Sequence, residues 1–335
     1  MIPSKTILTD DFGRKHNYLR ISLLEKCNLR CTYCMPADGI ALSPKASLMT
    51  ADEIFAVAQT FVENGVDKIR LTGGEPLLRK DFPEIVSKLS TLNTSLSITT
   101  NGILIDRHIA VLKQANIKKI NLSLDTLVSS KFHSITLRNQ FEKVFDNLHL
   151  LLNNDFEVKV NVVLMKGFNE NEIIDFVQLT KFLPLSIRFI EFMPFAGNEW
   201  DRSKMVSQKE ILSHVEECFS LDKIQKLDDE KNFTARTYKI EGFQGNFGII
   251  SSITNPFCDG CNRIRLTANG KIKNCLFSNS ETDLLTAFRK GEPITNLISE
   301  SIKNKKKVRA GMVTISEMDD PALHFDNRSM IAIGG

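Results

Sequence analysis

Residues 50–72 read TADEIFAVAQTFVENGVDKIRLT. Thr50 followed three residues later by Glu53 is a capping box, and Gly65 supplies a C-terminal stop, so the spacing predicts a helix over 51–64. Directly after it, residues 66–72 predict a strand in which Ile69 and Leu71 oppose Lys68, Arg70 and Thr72. Outward from this unit the same order repeats. Strands are predicted over 17–24, 95–100, 118–124, 157–164 and 185–193, and helices over 81–92, 106–116, 138–153 and 170–183. Six β-α units in series imply a parallel sheet, open or bent into a partial barrel. After residue 200 the order changes. A helix is predicted near 207–219, then a charged stretch, LDKIQKLDDEKNF. Two antiparallel pairs follow over 236–253 and 262–277, with turns at Glu241-Gly242 and Asn269-Gly270. Residues 281–308 read as helical, with KNKKK at 303–307 as a solvated helix end.

The chain has 335 residues, a formal net charge of +3, 42% hydrophobic and 25% charged residues. These values exclude a disordered chain, a collagen-like repeat and a small disulfide scaffold. No stretch approaches the roughly 20 apolar residues that span a membrane. The N-terminal residues MIPSKTILTDDFGRKHNYLR lack the apolar centre of a signal peptide, so a cytoplasmic protein is expected. The small net charge gives no argument for nucleic acid.

Six of the seven cysteines fall into two triplets. CNLRCTYC carries Cys27, Cys31 and Cys34, and CDGCNRIRLTANGKIKNC carries Cys258, Cys261 and Cys275. Cys218, within EILSHVEECF, reads as a core thiol. Thiolates suit zinc or iron–sulfur clusters. A structural zinc site needs four protein ligands, and His214 and His324 stand far from the second triplet in sequence. A [4Fe–4S] cluster on three thiolates leaves one iron open to a small molecule, so both triplets point to reactive sites.

CNLRCTYC, with Tyr33 before Cys34, resembles the cluster loop of the radical S-adenosylmethionine enzymes, and LTGGEP at 71–76 resembles their glycine-rich motif. The missing side chains of Gly73 and Gly74 would let the backbone approach a cofactor closely. The second triplet, with Arg263 and Arg265, and the terminal Gly334-Gly335 resemble the GTP 3′,8-cyclase family of molybdenum cofactor biosynthesis, over nearly the whole chain.

The resemblance implies an α/β fold, a (βα)6 partial TIM barrel in residues 1–200, closed by a smaller α+β region in 201–335 that carries the second cluster and the diglycine tail. It implies two [4Fe–4S] clusters and S-adenosylmethionine as cofactors. Tyr33, Gly74, Ser123 and Met193 match positions around S-adenosylmethionine. Arg20, Arg70, Thr99, Lys159, Arg263 and Arg265 match positions that contact GTP. Arg263, Arg265, Gly334 and Gly335 would act in catalysis. The implied reaction abstracts hydrogen from C3′ of GTP and joins C3′ to C8. An electron donor and the downstream cyclic pyranopterin monophosphate synthase are the implied partners, and a homodimer is left open. A peptide-modifying enzyme with an auxiliary cluster and a non-enzymatic zinc module are the competing readings.

Strand parity points the same way. In the first five strands one face is apolar and the other polar: Arg20 and Ser22, Arg70 and Thr72, Ser97, Thr99 and Asn101, Asn121, Ser123 and Asp125, Lys159 and Asn161. In the sixth, Ile187, Phe189, Glu191 and Met193 share a face, and the pattern is weaker. Packed barrels fill their interior with branched apolar side chains. Polar inner faces predict a wet hollow for a polar ligand. Cys261, Arg263 and Arg265, spaced by two, share one face of an extended segment, and forked guanidinium donors match phosphate oxygens.

Overall fold

The computed structural model describes residues 7–36, 38–198, 200–229, 232–324 and 326–334, so Gly335 lies outside the described residues. Thr50 caps the helix α1 (Ala51–Glu63) as its sequence dictates. Its hydroxyl accepts from the Glu53 N–H at 3.2 Å, and the Glu53 carboxylate accepts from the Thr50 N–H at 2.8 Å. The helix buries Ile54, Val57, Ala58 and Phe61, the apolar stripe that drives its packing.

Six strands follow one another in space as in sequence: β1 (Tyr18–Ser22), β2 (Lys68–Thr72), β3 (Ser95–Thr100), β4 (Lys119–Ser123), β5 (Glu157–Leu164) and β6 (Ser186–Glu191), each parallel to the next. The crossovers carry α1, α2 (Phe82–Leu89), α3 (Ile105–Gln114), α4 (Ser129–Thr136), α5 (Phe141–Leu152) and α6 (Ile173–Phe182). Helix α4 lies in a stretch the sequence left unassigned. Leu19, Ile21, Ile69, Leu71, Ile98, Ile120, Leu122, Val158 and Val160 are buried in the main core, which leaves the opposite, polar face of the sheet to the cavity described below.

The C-terminal half supplies α7 (Gln208–Cys218), β7 (Ile224–Lys226), β8 (Arg236–Ile240), β9 (Asn246–Ile250), β10 (Arg263–Leu266), β11 (Lys271–Lys273), β12 (Thr282–Asp283), α8 (Leu285–Arg289) and α9 (Thr295–Lys303). Both expected hairpins are present, as β8–β9 and β10–β11. Their long-range partners were not legible. β9 runs parallel beside β6 and β10 runs parallel beside β1, giving one sheet of order β12-β11-β10-β1-β2-β3-β4-β5-β6-β9-β8-β7. The sheet is not closed: β12 and β7 are its two outer strands. A hairpin turn is a local signal, whereas the strand it docks against is set by burial between segments far apart in sequence.

Three finer expectations are corrected. Residues 281–308 are not one helix, because β12 precedes α8 and the Gly291-Glu292-Pro293 break separates α8 from α9. Cys218 is exposed, not a core thiol; α7 buries Ile211 and Val215, and Cys218 is its last residue, beyond that stripe. Within KNKKK, Lys303, Lys306 and Lys307 are exposed but Lys305 is buried at 3% exposure.

The segment before β1 is tied down by charge. Asp10 accepts from the Arg14 side chain at 2.6 Å and from His16 Nε2 at 3.1 Å, with Asp10 and His16 fully buried. Burial first, then the charge of Lys305, pushes His16 down to about 3. The folded chain therefore holds a neutral imidazole, while the unfolded chain takes up a proton below about 6.5. The stability linked to His16 is complete above that value and drains away as pH falls from 6.5 towards 3. Urea unfolding of the metal-free chain should show about 2 kcal/mol less stability at pH 5 than at pH 8 from this group. His16→Gln should lose that component of the slope; an unchanged slope would contradict the assignment.

Candidate functional site

Both cysteine triplets open onto one cavity of about 290 Å³. Cys27, Cys31, Cys34, Cys258, Cys261 and Cys275 all line it and all are free thiols.

The first triplet occupies the loop that leaves the C-terminal end of β1. Its backbone is held by the residues after β2: Gly74 N–H donates to Leu24 O and Glu75 N–H to Lys26 O, both at 2.8 Å. A Cβ on Gly74 would lie 2.1 Å from Lys26 O, and one on Gly73, where φ is +148°, would lie 2.7 Å from Leu24 O. The two glycines thus admit the cluster loop itself, and both also line the cavity. Glu75 is buried and accepts from Leu77 N–H, Thr100 Oγ1 and Asn101 N–H at 3.0, 2.8 and 2.7 Å. Asn101 donates to Asn28 Oδ1 at 2.7 Å. Tyr33 donates its hydroxyl to Asp125 at 2.9 Å, and the other Asp125 oxygen accepts from Val163 N–H at 2.8 Å. Burial pushes Cys27 up to about 11 and Cys34 to about 12, and raises Cys31; Glu75 adds to the rise at Cys27, and neighbouring thiols and Asp125 add to those at Cys31 and Cys34. The three sulfurs, all disfavoured as bare thiolates by burial, line one cavity, where a bound cationic metal would stabilise their thiolate forms.

In the second triplet Cys258 and Cys261 precede β10, and Cys275 follows β11. The hairpin closed at Gly270 pairs Arg265 with Lys273, which brings Cys275 back beside Cys261. The thirteen-residue gap between those cysteines is therefore a hairpin. Here the surroundings are cationic. Burial would raise Cys261, but Arg263 and Lys305 carry it well below its ordinary value.

Between the triplets, strand register aligns the arginines. Arg265 on β10 faces Arg20 on β1, and Arg20 faces Arg70 on β2. Arg70 and Arg265 are each 6% exposed. Among the described residues, Arg20, Arg70, Arg263 and Arg265 form no ion pair with a carboxylate. Burial and the neighbouring guanidiniums push Arg265 down to about 9; burial, Arg20 and Arg188 bring Arg70 to about 10 despite Tyr18. The buried Nε of Arg20, Nε of Arg265, Asn121 Oδ1 and Asn161 Oδ1 have no hydrogen-bond partner. Buried polar atoms without partners call for an explanation, and guanidiniums with no carboxylate to balance them call for an anion.

Tyr33, Gly74, Ser123, Met193, Arg20, Arg70, Thr99, Arg263 and Arg265 all line the cavity. Lys159 shares the inner face with Asn161, but the cavity begins at Asn161, one pleat further along β5. Gly334 is buried with φ at +75°, and a Cβ there would lie 2.1 Å from Thr72 Oγ1 and 3.4 Å from Ser22 Cβ. The tail therefore packs on the inner rim formed by β1 and β2. Gly334→Ala should lower turnover at least about tenfold while leaving the thermal midpoint within a few degrees, because the strain falls on the last turn alone. Equal loss of both would point to a fold defect.

Sequence reasoning missed Arg188 and Lys305; it placed Asn101 and Asp125 on the inner face, where they line the cavity, without reading their contacts with the cluster loop. Arg188 lines the cavity with Ile190; its signal was present in the polar positions Ser186 and Arg188, opposite the apolar face of β6. Met193 reaches the cavity because β6 ends at Glu191 and the alternation stops there.

Comparison with known proteins places this geometry. Residues 21–180 match the radical SAM superfamily and residues 185–310 match Molybdenum Cofactor Synthesis C. The GTP 3′,8-cyclase of Peptoclostridium acidaminophilum is 41% identical over 99% of both chains. The chain belongs to the GTP 3′,8-cyclase family of radical SAM proteins. The mitochondrial GTP 3′,8-cyclase of Arabidopsis thaliana is 44% identical, over 99% of this chain and 85% of that one. Molybdenum cofactor biosynthesis protein 1 of Mus musculus is 48% identical, and this chain spans about half its length, 52%. Among solved structures, Streptococcus suis SuiB shares the fold at TM-score 0.64 and 15% identity, covering 96% of this chain and 78% of that one.

The residues fit the cofactors of a radical SAM protein. Each triplet converges on a space beside the cavity, and a [4Fe–4S] cluster spreads its thiolates over different irons. Among the described residues, no group of three His, Cys, Asp or Glu side chains is arranged to hold a single metal ion. Among the described residues, no helix is long and apolar enough to cross a membrane.

Proposed function

We propose that the chain converts GTP to (8S)-3′,8-cyclo-7,8-dihydroguanosine 5′-triphosphate, the first step of molybdopterin biosynthesis. The observation that supports this reading best is that two cysteine triplets and a row of arginines without a carboxylate partner share one cavity. On this reading Cys27, Cys31 and Cys34 hold one [4Fe–4S] cluster, and Cys258, Cys261 and Cys275 hold a second. When bound, the first cluster with S-adenosylmethionine supplies one-electron, hydrogen-abstracting chemistry. The chain's own part is positioning and exclusion of water. Tyr33, pinned by Asp125, fixes the first cluster loop, and Gly74, Ser123 and Met193 border the S-adenosylmethionine site. Arg20, Arg70, Thr99, Lys159, Arg263 and Arg265 hold GTP, with the guanidiniums neutralising its phosphates. Gly334 brings the tail against the substrate, and Gly335, outside the described residues, shares that role only through the family resemblance.

The same proposal reads β1–β6 with their helices as a (βα)6 partial barrel in residues 1–200, completed by a region of 201–335. It includes an electron donor, transfer of product to a cyclic pyranopterin monophosphate synthase, and a cytoplasmic setting, which suits seven unpaired thiols. A peptide-modifying enzyme would leave the arginine row without a role, and a zinc module would leave the cavity without one.

Anaerobically reconstituted protein, incubated with GTP, S-adenosylmethionine and dithionite, should yield 5′-deoxyadenosine and a product of unchanged nucleotide mass that separates from GTP. 5′-Deoxyadenosine formed equally with and without GTP, and no new nucleotide, would overturn the proposal.

A further inference from the structure

The buried lysine of the KNKKK run has no role in the reading above, and its surroundings give it one. Lys305 follows α9 and sends its three ammonium protons to three acceptors. These are Cys261 Sγ at 3.3 Å, Arg263 O at 2.9 Å and His16 Nδ1 at 3.4 Å. A lysine ammonium has three donors and no acceptor, so Nδ1 must present its lone pair. The proton of His16 then sits on Nε2, directed at Asp10 Oδ2 at 3.1 Å. Asp10 also accepts from Arg14. Arg14 continues to the carbonyl oxygens of Cys258 and Lys307, both at 2.8 Å. One buried chain, Asp10–His16–Lys305, ends on the sulfur of Cys261, and its side arm, Arg14, grips the backbone of Cys258.

The first triplet presents a different donor. The side-chain nitrogen directed at one of its sulfurs is the neutral amide of Asn101, 3.6 Å from Cys27 Sγ, and Glu75 and Asp125 stand nearby as acids. We infer that Lys305 is a positioning residue for the second cluster: it orients Cys261 and places a fixed positive charge on that ligand, raising the cluster's reduction potential. Reduction adds one negative charge to a cluster, so a charged N–H donor to a ligand sulfur favours the reduced state. His16 and Asp10 keep the ammonium aimed. This inference rests on the second-cluster reading proposed above.

The test uses the full chain carrying Cys27→Ala, Cys31→Ala and Cys34→Ala, so that the second cluster alone reports. With Lys305 intact this protein should bind about four irons; failure to bind them overturns the second-cluster reading itself. Lys305→Met keeps the length of the side chain and removes its charge and donors. Potentiometric titration followed by electron paramagnetic resonance should show its midpoint shifted to lower potential, with Lys305→Arg restoring most of the shift. If Lys305→Met loses its iron and Lys305→Arg retains it, the positioning role stands. An unchanged midpoint in Lys305→Met at full iron content, or equal iron loss in both variants, would overturn the inference.

Discussion

Replacing Cys31 by alanine should reduce iron from about eight to about four per chain and turnover to roughly 1% of wild type or less, with the fold retained. Cys31 is the middle cysteine of a loop whose backbone is already fixed without metal. Arg30 and Thr32 N–H groups donate to the carbonyl oxygens of Thr136 and Ile135 at 2.9 and 3.0 Å, and Gly74 and Glu75 hold the preceding turn. Losing the sulfur should therefore remove the cluster and leave the loop in place. If the triplet were merely buried structure, Cys31→Ala would cost about 1 kcal/mol of stability and leave activity near wild type. Iron analysis beside a GTP turnover assay separates the two outcomes. On the proposed reading, in which each triplet holds its own cluster, the same substitution at Cys261 should also remove about four irons.

Arg265→Ala should weaken GTP binding by roughly 30- to 100-fold, about 2–3 kcal/mol, without loss of iron. Arg265 is buried beside Arg20, its Nε lacks a partner, and its neighbours push its guanidinium down to about 9. In the substrate-free chain that charge is a burden, since the folded state holds it less well than water does. Its removal should leave the thermal midpoint of the free protein unchanged or higher, and should abolish most of the midpoint rise caused by GTP. Arg265→Lys should recover only part of the affinity, because an ammonium lacks the planar fork. Calorimetric titration with GTP reads the first effect, and thermal melts with and without nucleotide read the second. Unchanged affinity in Arg265→Ala would remove the arginine row from the substrate site.

The parts of this fold that local chemistry decides were legible. The Thr50–Glu53 capping box, the polar–apolar alternation of β1–β5 and the Asn269-Gly270 turn are all signals within a few residues. Parity placed Arg20, Arg70, Thr99 and Asn161 on the inner face before any coordinates. What failed was what depends on distant partners. The docking of β9 on β6 and β10 on β1 is written in no local pattern, yet it aligns Arg265 with Arg20 and Arg70. Lys305 looked like one of several solvated lysines because composition describes a run, while burial selects a single position within it. Asp125 and Asn101 were legible as inner-face residues, but their partners were not, for a similar reason. Each was seen as one more polar residue at a strand end, and only the fold brings them to Tyr33 and Cys27. Gly73 and Gly74 were recognised as a close-approach site, but the approaching chain is the loop of residues 24–27.

Everything turns on whether both triplets, opening on one cavity, carry clusters. Iron and sulfide analysis of the anaerobically reconstituted chain decides this most directly. About eight irons and eight sulfides per chain are predicted, falling to about four of each when either triplet is replaced by alanine. Stoichiometric zinc without iron, or four irons that survive replacement of Cys258, Cys261 and Cys275 while the intact chain holds no more, would contradict it.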